Sequence, residues 1–202
     1  MGQASRPAVL TMDMPAGYYE RRLPHWQPGD AALFVTWHLH GSLPRVPGLL
    51  LGSSAGKAFV AMDRELARAA TRPRWLKDER IARCVVDALH FGEKQLRLYD
   101  LHAWVIMANH AHILISPHVK LSRIMKAVKN FSARQTNEIL GRRGEPFWQD
   151  ESYDHWVRDQ REFGKVACYI ESNPVVAGLA EQPEDWPWSS ATRAGREACP
   201  TR

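Results

Sequence analysis

The residues best suited to chemistry in this chain form two short constellations. His110 and His112 stand one residue apart in "NHAHILIS", and Tyr169 precedes Asn173 by four residues in "CYIESNP". On a strand, side chains at i and i+2 point to one face, so the two imidazoles supply half of a metal site. Two polar residues on the solvated face of an amphipathic strand would be spelled the same way, and the pair alone leaves both readings open. On a helix, positions four apart stack, which puts the phenol beside the amide. An asparagine before a proline also reads as a cap or turn residue. A phenol, with a pKa of about 10, is a weak nucleophile at neutral pH and needs an electrophile activated from outside. A divalent ion on a phosphate oxygen does this as a Lewis acid. Taken together, the four residues allow attack of tyrosine on a phosphodiester, with the Asn173 amide oxygen as a third ligand. The product would be a phosphotyrosine ester, which keeps the energy of the broken bond for rejoining.

Each constellation has a rival. His38 and His40 in "VTWHLHGS" repeat the histidine spacing, and Tyr153 in "DESYDHW" is a second tyrosine, though no Asn or Gln follows it four residues later. Other reaction classes lack their signatures: the chain has no P-loop, GxSxG, HExxH or GxGxxG.

The elements that must position these residues follow from pattern. "ALFVTWHLHGS" reads as a first strand ending in a Gly-Ser turn. A long connection follows, with a helix expected from about Gly56 to Arg68. Asp78 is a good N-cap for a helix whose apolar stripe includes Ile81, Val85 and Leu89, with Gly92 expected to end or loosen it. "LRLYDLHAWVIM" and "NHAHILIS" form a hairpin around Ala108-Asn109. A helix over about Leu121–Leu140 places Leu121, Ile124, Met125, Val128, Phe131 and Ile139 on its inner face. Its opposite face carries Arg123, Lys126, Lys129 and Arg134 with no acid, a pattern suited to phosphate. "YDHWVR" is a fourth strand, and the helix with Tyr169 is expected to stop near Pro174. The order predicts an α+β fold: a ferredoxin-like antiparallel sheet (βαββαβ) with helices on one face and an additional C-terminal helix carrying the tyrosine. It would occupy residues 31–192, with flexible segments at 1–30 and 193–202.

Bulk properties set the bounds. A chain of 202 residues, 45% hydrophobic and 24% charged, suits one soluble domain, with no apolar run near the ~18 residues of a membrane span. Its start has no secretory core, and its 3 cysteines show no CxxC spacing. Both fit a cytoplasmic protein without a disulfide framework. A net charge of +5 permits nucleic-acid binding without establishing it, and some of the 8 tryptophans could stack on bases.

From about Leu33 to Ala191 the chain resembles the single-tyrosine HUH transposases (histidine, bulky hydrophobic residue, histidine), specifically the REP-associated tyrosine transposase group. The resemblance rests on four segments in order: "AWVIMANHAHILI", "FWQDESYDHWVRD", "YIESNPVVAGL" and "DWPWSSA". It implies that His110, His112 and Asn173 hold Mg²⁺ or Mn²⁺, where the residues alone would equally allow Zn²⁺. It implies that Tyr169 is the nucleophile of an enzyme that cleaves and rejoins single-stranded or hairpin DNA. Arg123, Lys126, Lys129 and Arg134 are then the nucleic-acid-binding candidates, with monomer and homodimer both open. A binding module of the same fold without strand transfer is the alternative. Ala108 stands where the group has proline, and Ala111 where it has a larger apolar residue.

Overall fold

The computed structural model describes residues 31–43, 63–66 and 72–192, and the backbone of 19–20 and 24–25. Most of the expected end segments and of the 56–68 helix lies outside the described residues, although residues 63–66 are helical. Strands β1 (Tyr19–Glu20) and β2 (Pro24–His25) pair antiparallel. Strands β3 (Leu33–His38), β4 (Tyr99–Ile106), β5 (His110–Pro117) and β6 (Tyr153–Trp156) form one antiparallel sheet in the order β4-β5-β3-β6. The helices are α1 (Glu79–Lys94), α2 (Leu121–Ile139) and α3 (Gln160–Val176). With the first strand between the third and fourth, this is the expected ferredoxin-like order.

Alternation in the central strands feeds two cores. Leu33, Val35 and Trp37 of β3 join Ala111, Ile113 and Ile115 of β5 in a core covered by α1 and α2. Phe34, Val105 and Leu114 point the other way, into a smaller core with Ile170 of α3. Burial on both faces explains why β3 and β5 read as nearly continuous apolar runs. In β4 the ladder shifts between Leu101 and Ala103, so Leu101 and Trp104, three apart, both reach the larger core.

Three helices depart from the expected pattern for identifiable reasons. Gly92 does not end α1. It lies against the buried Tyr99, whose hydroxyl donates to the Leu89 carbonyl at 2.8 Å. A Cβ at Gly92 would meet that hydroxyl oxygen at 2.6 Å. Gly92→Ala should therefore destabilise the fold by about 1–3 kcal/mol despite alanine's better helix propensity, visible as a lowered thermal midpoint. An unchanged or raised midpoint would mean that Tyr99 moves freely.

In α2, Phe131 and Ile139 are exposed, and Ser132, Thr136 and Asn137 are buried in their place. These polar residues can go inside because they are bonded there. Ser132 Oγ accepts from Trp148 Nε1 at 2.9 Å, Thr136 donates to Ser132 O at 2.8 Å, and Asn137 donates to Glu145 O at 2.7 Å. Phe131 instead stacks on Phe91 of α1, with ring centroids 5.5 Å apart. In α3, Pro174 lies inside the helix, which runs on to Val176. A proline in the last turn removes one hydrogen bond near the end of the ladder and leaves the rest intact.

The "DWPWSSA" segment covers the edge strand β4. Ile106 N donates to Trp188 O at 2.8 Å, Trp104 N to Ser190 Oγ at 3.1 Å, and Ser190 to Glu171 of α3 at 2.7 Å. It thus blunts an edge and ties it to the tyrosine helix. Cys84 carries a free thiol, whereas Cys168 is disulfide-bonded, which the odd count and open spacing did not foreshadow. Among the described residues, no helix is long and apolar enough to cross a membrane.

Candidate active site

His110 and His112 project from the first turn of the β5 ladder toward α3. Across the ladder His110 faces His38, and His112 faces Thr36. Both rings are buried, with centroids 4.8 Å apart. Each is held by its Nδ1. His112 Nδ1 lies 2.7 Å from Thr36 Oγ1, and His110 Nδ1 lies 2.7 Å from Asn109 Oδ1. The amide of Asn109 is oriented by its other end, which donates to Leu66 O at 2.8 Å. Its oxygen must then accept from His110 Nδ1–H, which leaves the Nε2 lone pair of a neutral ring facing inward.

What Nε2 faces is Asp63, a residue that the sequence pattern did not single out. Asp63 Oδ1 lies 3.3 Å from His110 Nε2 and 3.2 Å from His112 Nε2. Asp63 Oδ2 accepts from the Tyr169 hydroxyl, and from Asn173 Nδ2 at 3.2 Å. Asn173 Nδ2 also lies 3.3 Å from His112 Nε2. The fold therefore brings His110, His112, Tyr169 and Asn173 together, around a carboxylate from the connection between β3 and α1. The only sequence signal for Asp63 is its place in an expected helix within a long connection, which Glu65 shares.

The rivals separate. His38 is on the same face as His110, but its Nδ1 is engaged by Ser42 Oγ at 2.9 Å and Leu39 O at 3.0 Å. His40 lies beyond the strand and is exposed. Tyr153 packs edge-on to Phe34, centroids 6.4 Å apart, while the Tyr169 ring meets both Phe34 and His112 at about 6 Å. Phe34 also stacks on His112 at 5.7 Å, so one apolar side chain contacts both the imidazole and the phenol ring.

The electrostatics suit a cation. Burial works against the Asp63 carboxylate, yet the charge of His112 and the close approach of both histidine rings outweigh it and hold the pKa far below the usual range. Burial pushes His110 down, against the pull of Asp63. Burial first, and then the neighbouring carboxylate, push the Tyr169 phenol well above its ordinary value. Two buried atoms, Asp63 Oδ1 and His110 Nε2, have no hydrogen-bond partner. One donor atom from each of Asp63, His110 and His112 lies within 4.8 Å of the others. Such a cluster of inward lone pairs fits a divalent metal ion, whose bonds to these donors are about 2.1 Å.

Burial also lowers His38 from 6.5 to about 4, helped by the charges of His110 and Lys129. Depressed histidines are neutral in the fold, and the unfolded chain takes up protons below pH 6.5. The metal-free protein should therefore lose stability as pH falls from about 6.5 toward 4, so its melting midpoint at pH 5 should lie below that at pH 7. A flat profile would mean that these rings are charged in the fold.

The basic residues of α2 have divided roles. Arg123, Lys126 and Lys129 line a groove of about 590 Å³ against residues 145–152, whose wall brings Glu145, Asp150 and Glu151. Lys129 Nζ donates to the carbonyls of Gln149 and Asp150, at 2.9 and 3.0 Å. Arg123, Lys126 and Arg134 are exposed, and Arg134 is outside the lining of that groove. The groove adjoins the histidine end of β3, because Gln149 N donates to His38 O and His40 N to Phe147 O, both at 2.9 Å.

Comparison with known proteins places this arrangement. The family model described as "Transposase IS200 like" matches residues 68–173, from before α1 to Asn173. The chain is 26% identical over 106 residues to a REP-associated tyrosine transposase of Escherichia coli, covering 50% of this chain and 59% of that protein. It is 39% identical over 46 residues to a putative one of Haemophilus influenzae, covering 23% of this chain and 26% of that protein. The chain thus spans little more than half of the first relative and about a quarter of the second. The solved structure of a REP-associated tyrosine transposase bound to a REP hairpin shares the fold, with a TM-score of 0.53 at 19% identity over 85% of this chain and 82% of that one. With both histidines, the tyrosine and the asparagine inside the matched span, the chain belongs to the IS200-like transposase family.

Proposed function

We propose that this protein is a metal-dependent single-stranded DNA transposase that cleaves and rejoins DNA through a 5′-phosphotyrosine intermediate. The observation that carries this reading is the convergence of the Tyr169 hydroxyl and both histidine Nε2 atoms on one buried carboxylate. Tyr169 Oη would attack the phosphorus, forming the O–P bond as the P–O3′ bond breaks, and the 3′ oxygen would leave as an alcohol, its proton balancing the one the phenol gives up. The phenol's own proton already has an acceptor beside it in Asp63 Oδ2. Burial and the Asp63 charge keep that phenol protonated at rest, so attack needs a compensating positive charge nearby. Mg²⁺ or Mn²⁺ held by His110, His112 and, with its amide turned so that Oδ1 takes the place of Nδ2, Asn173 would supply it and polarise the phosphate oxygen. Phe34 and Ile170 shield the ring of the nucleophile on its apolar side.

Hairpin DNA is the substrate class suggested by the solved relative, whose bound hairpin belongs to that protein. Arg123, Lys126, Lys129 and Arg134 are the phosphate-facing candidates, with Lys129 also fastening the 149–151 backbone. Work on chromosomal DNA would place the protein in the cytoplasm. The test is incubation with a labelled hairpin oligonucleotide bearing a single-stranded flank. A band resistant to denaturing detergent should form with Mg²⁺ or Mn²⁺, vanish with chelator, and persist in Tyr153→Phe. Binding without any adduct would leave only the binding-module reading.

A further inference from the structure

We propose that Asp63 is a protein ligand of the metal, completing a donor set of two imidazoles and a carboxylate with an oxygen from outside the histidine and tyrosine motifs. This rests on the reading of His110 and His112 as metal ligands. His110 is 1% exposed, and its Nε2 has no hydrogen-bond partner although Asp63 Oδ1, equally unpartnered, lies 3.3 Å away. Asn109 fixes the His110 proton on Nδ1, so the facing atoms are two lone pairs. Two lone pairs that close, out of water, need a cation between them: a proton on the ring or a metal ion. Buried polar atoms in folded proteins are satisfied as a rule, and one divalent ion would satisfy both of these at once.

The surrounding structure holds Asp63 for that role. Asn109, in the turn before the first histidine, donates to Leu66 O one helical turn after Asp63, and Leu66 is itself buried. The residue that sets the His110 tautomer therefore also fixes the backbone that carries the carboxylate. Asp63 Oδ1 faces both Nε2 atoms, leaving Oδ2 for the Tyr169 hydroxyl and the Asn173 amide. One carboxylate thereby links the ion to the nucleophile. A carboxylate also shifts the donor set from imidazole alone, which suits zinc, toward the harder ions Mg²⁺ and Mn²⁺. Asp63 precedes the span matched by the family model, which begins at residue 68.

The test uses the full chain and Mn²⁺ alone, without DNA, by titration calorimetry and by the loss of the free Mn²⁺ paramagnetic signal. Asp63→Asn keeps the side-chain shape and should weaken Mn²⁺ binding at least about a hundredfold, as His112→Ala should, while the far-ultraviolet circular dichroism is retained. Asp63→Asn binding Mn²⁺ within about threefold of wild type, with His112→Ala impaired, overturns the proposal and leaves the histidine site standing. So does a wild type that takes up no Mn²⁺, which would make Asp63 a partner in a buried ion pair only. Should Asp63→Asn fail to fold, a Mn²⁺-soaked crystal of wild type decides. An anomalous peak within about 2.5 Å of Asp63 Oδ1 supports ligation, and one on the histidines beyond about 3 Å of it refutes ligation. Tight Asp63-dependent binding with no DNA adduct would support this proposal and count against strand transfer instead.

Discussion

Protein carrying Tyr169→Phe should form no covalent adduct with hairpin DNA, a loss on the order of a thousandfold or more, while binding that DNA within about threefold of wild type. The change removes one oxygen and keeps the ring, whose edge-on contacts with Phe34 and His112 lie at centroid distances of 6.0 and 5.9 Å. The histidines stay where Thr36 and Asn109 hold them. Asp63 Oδ2 loses one donor and keeps Asn173, so a modest destabilisation of about 1–3 kcal/mol should accompany the loss of chemistry. The measurements are adduct yield on a denaturing gel and a binding isotherm at fixed salt. Persistent adduct in Tyr169→Phe with loss in Tyr153→Phe would transfer the nucleophile to β6. That outcome has a physical basis to beat, because Tyr153 also sits on the α3 side of the sheet, with its hydroxyl pushed up to about 12 by burial and Asp154.

Trp37→Ala should have the largest effect on stability, about 3–5 kcal/mol, seen as a fall of roughly 10 °C in the thermal midpoint. Trp37 is fully buried next to the C-terminal end of β3, edge-on to Trp148 at 5.9 Å. Directly across the ladder is Ala111, the small residue between the two histidines. With alanine on both sides of that rung, neither strand residue fills the space the indole leaves. Thr36 and His38, the flanking residues of β3, face His112 and His110. The cavity should therefore also loosen the histidine pair and weaken Mn²⁺ binding. A midpoint shift under about 3 °C would show that the larger core collapses to fill the gap.

That rung also explains a feature that reads as a departure in the sequence. Alone, Ala111 is a small residue where the resembled group has a larger one. In the fold it sits opposite an indole in the same core, so volume missing from one strand is present on its neighbour. No single-strand pattern reveals such an exchange, because the partner is some seventy residues away.

What the sequence determined is what local periodicity encodes. A period of two puts His110 and His112 on one face, a helical spacing of four puts Tyr169 beside Asn173, and the order of strands and helices prescribes the sheet. Those features survive because each depends on residues a few positions apart. The tertiary structure decided the rest. It separated two histidine pairs of identical spelling by letting Ser42 and Leu39 O occupy His38 while leaving His110 Nε2 open. It turned Phe131 outward because Ser132 and Thr136 could satisfy their hydroxyls within the helix and on Trp148. It also delivered Asp63, distant in sequence from every residue it touches, to the point where the imidazoles and the phenol meet. Its position is set by the Asn109–Leu66 bond and by packing across the β3–α1 connection, and long-range contacts of that kind leave no period in the chain.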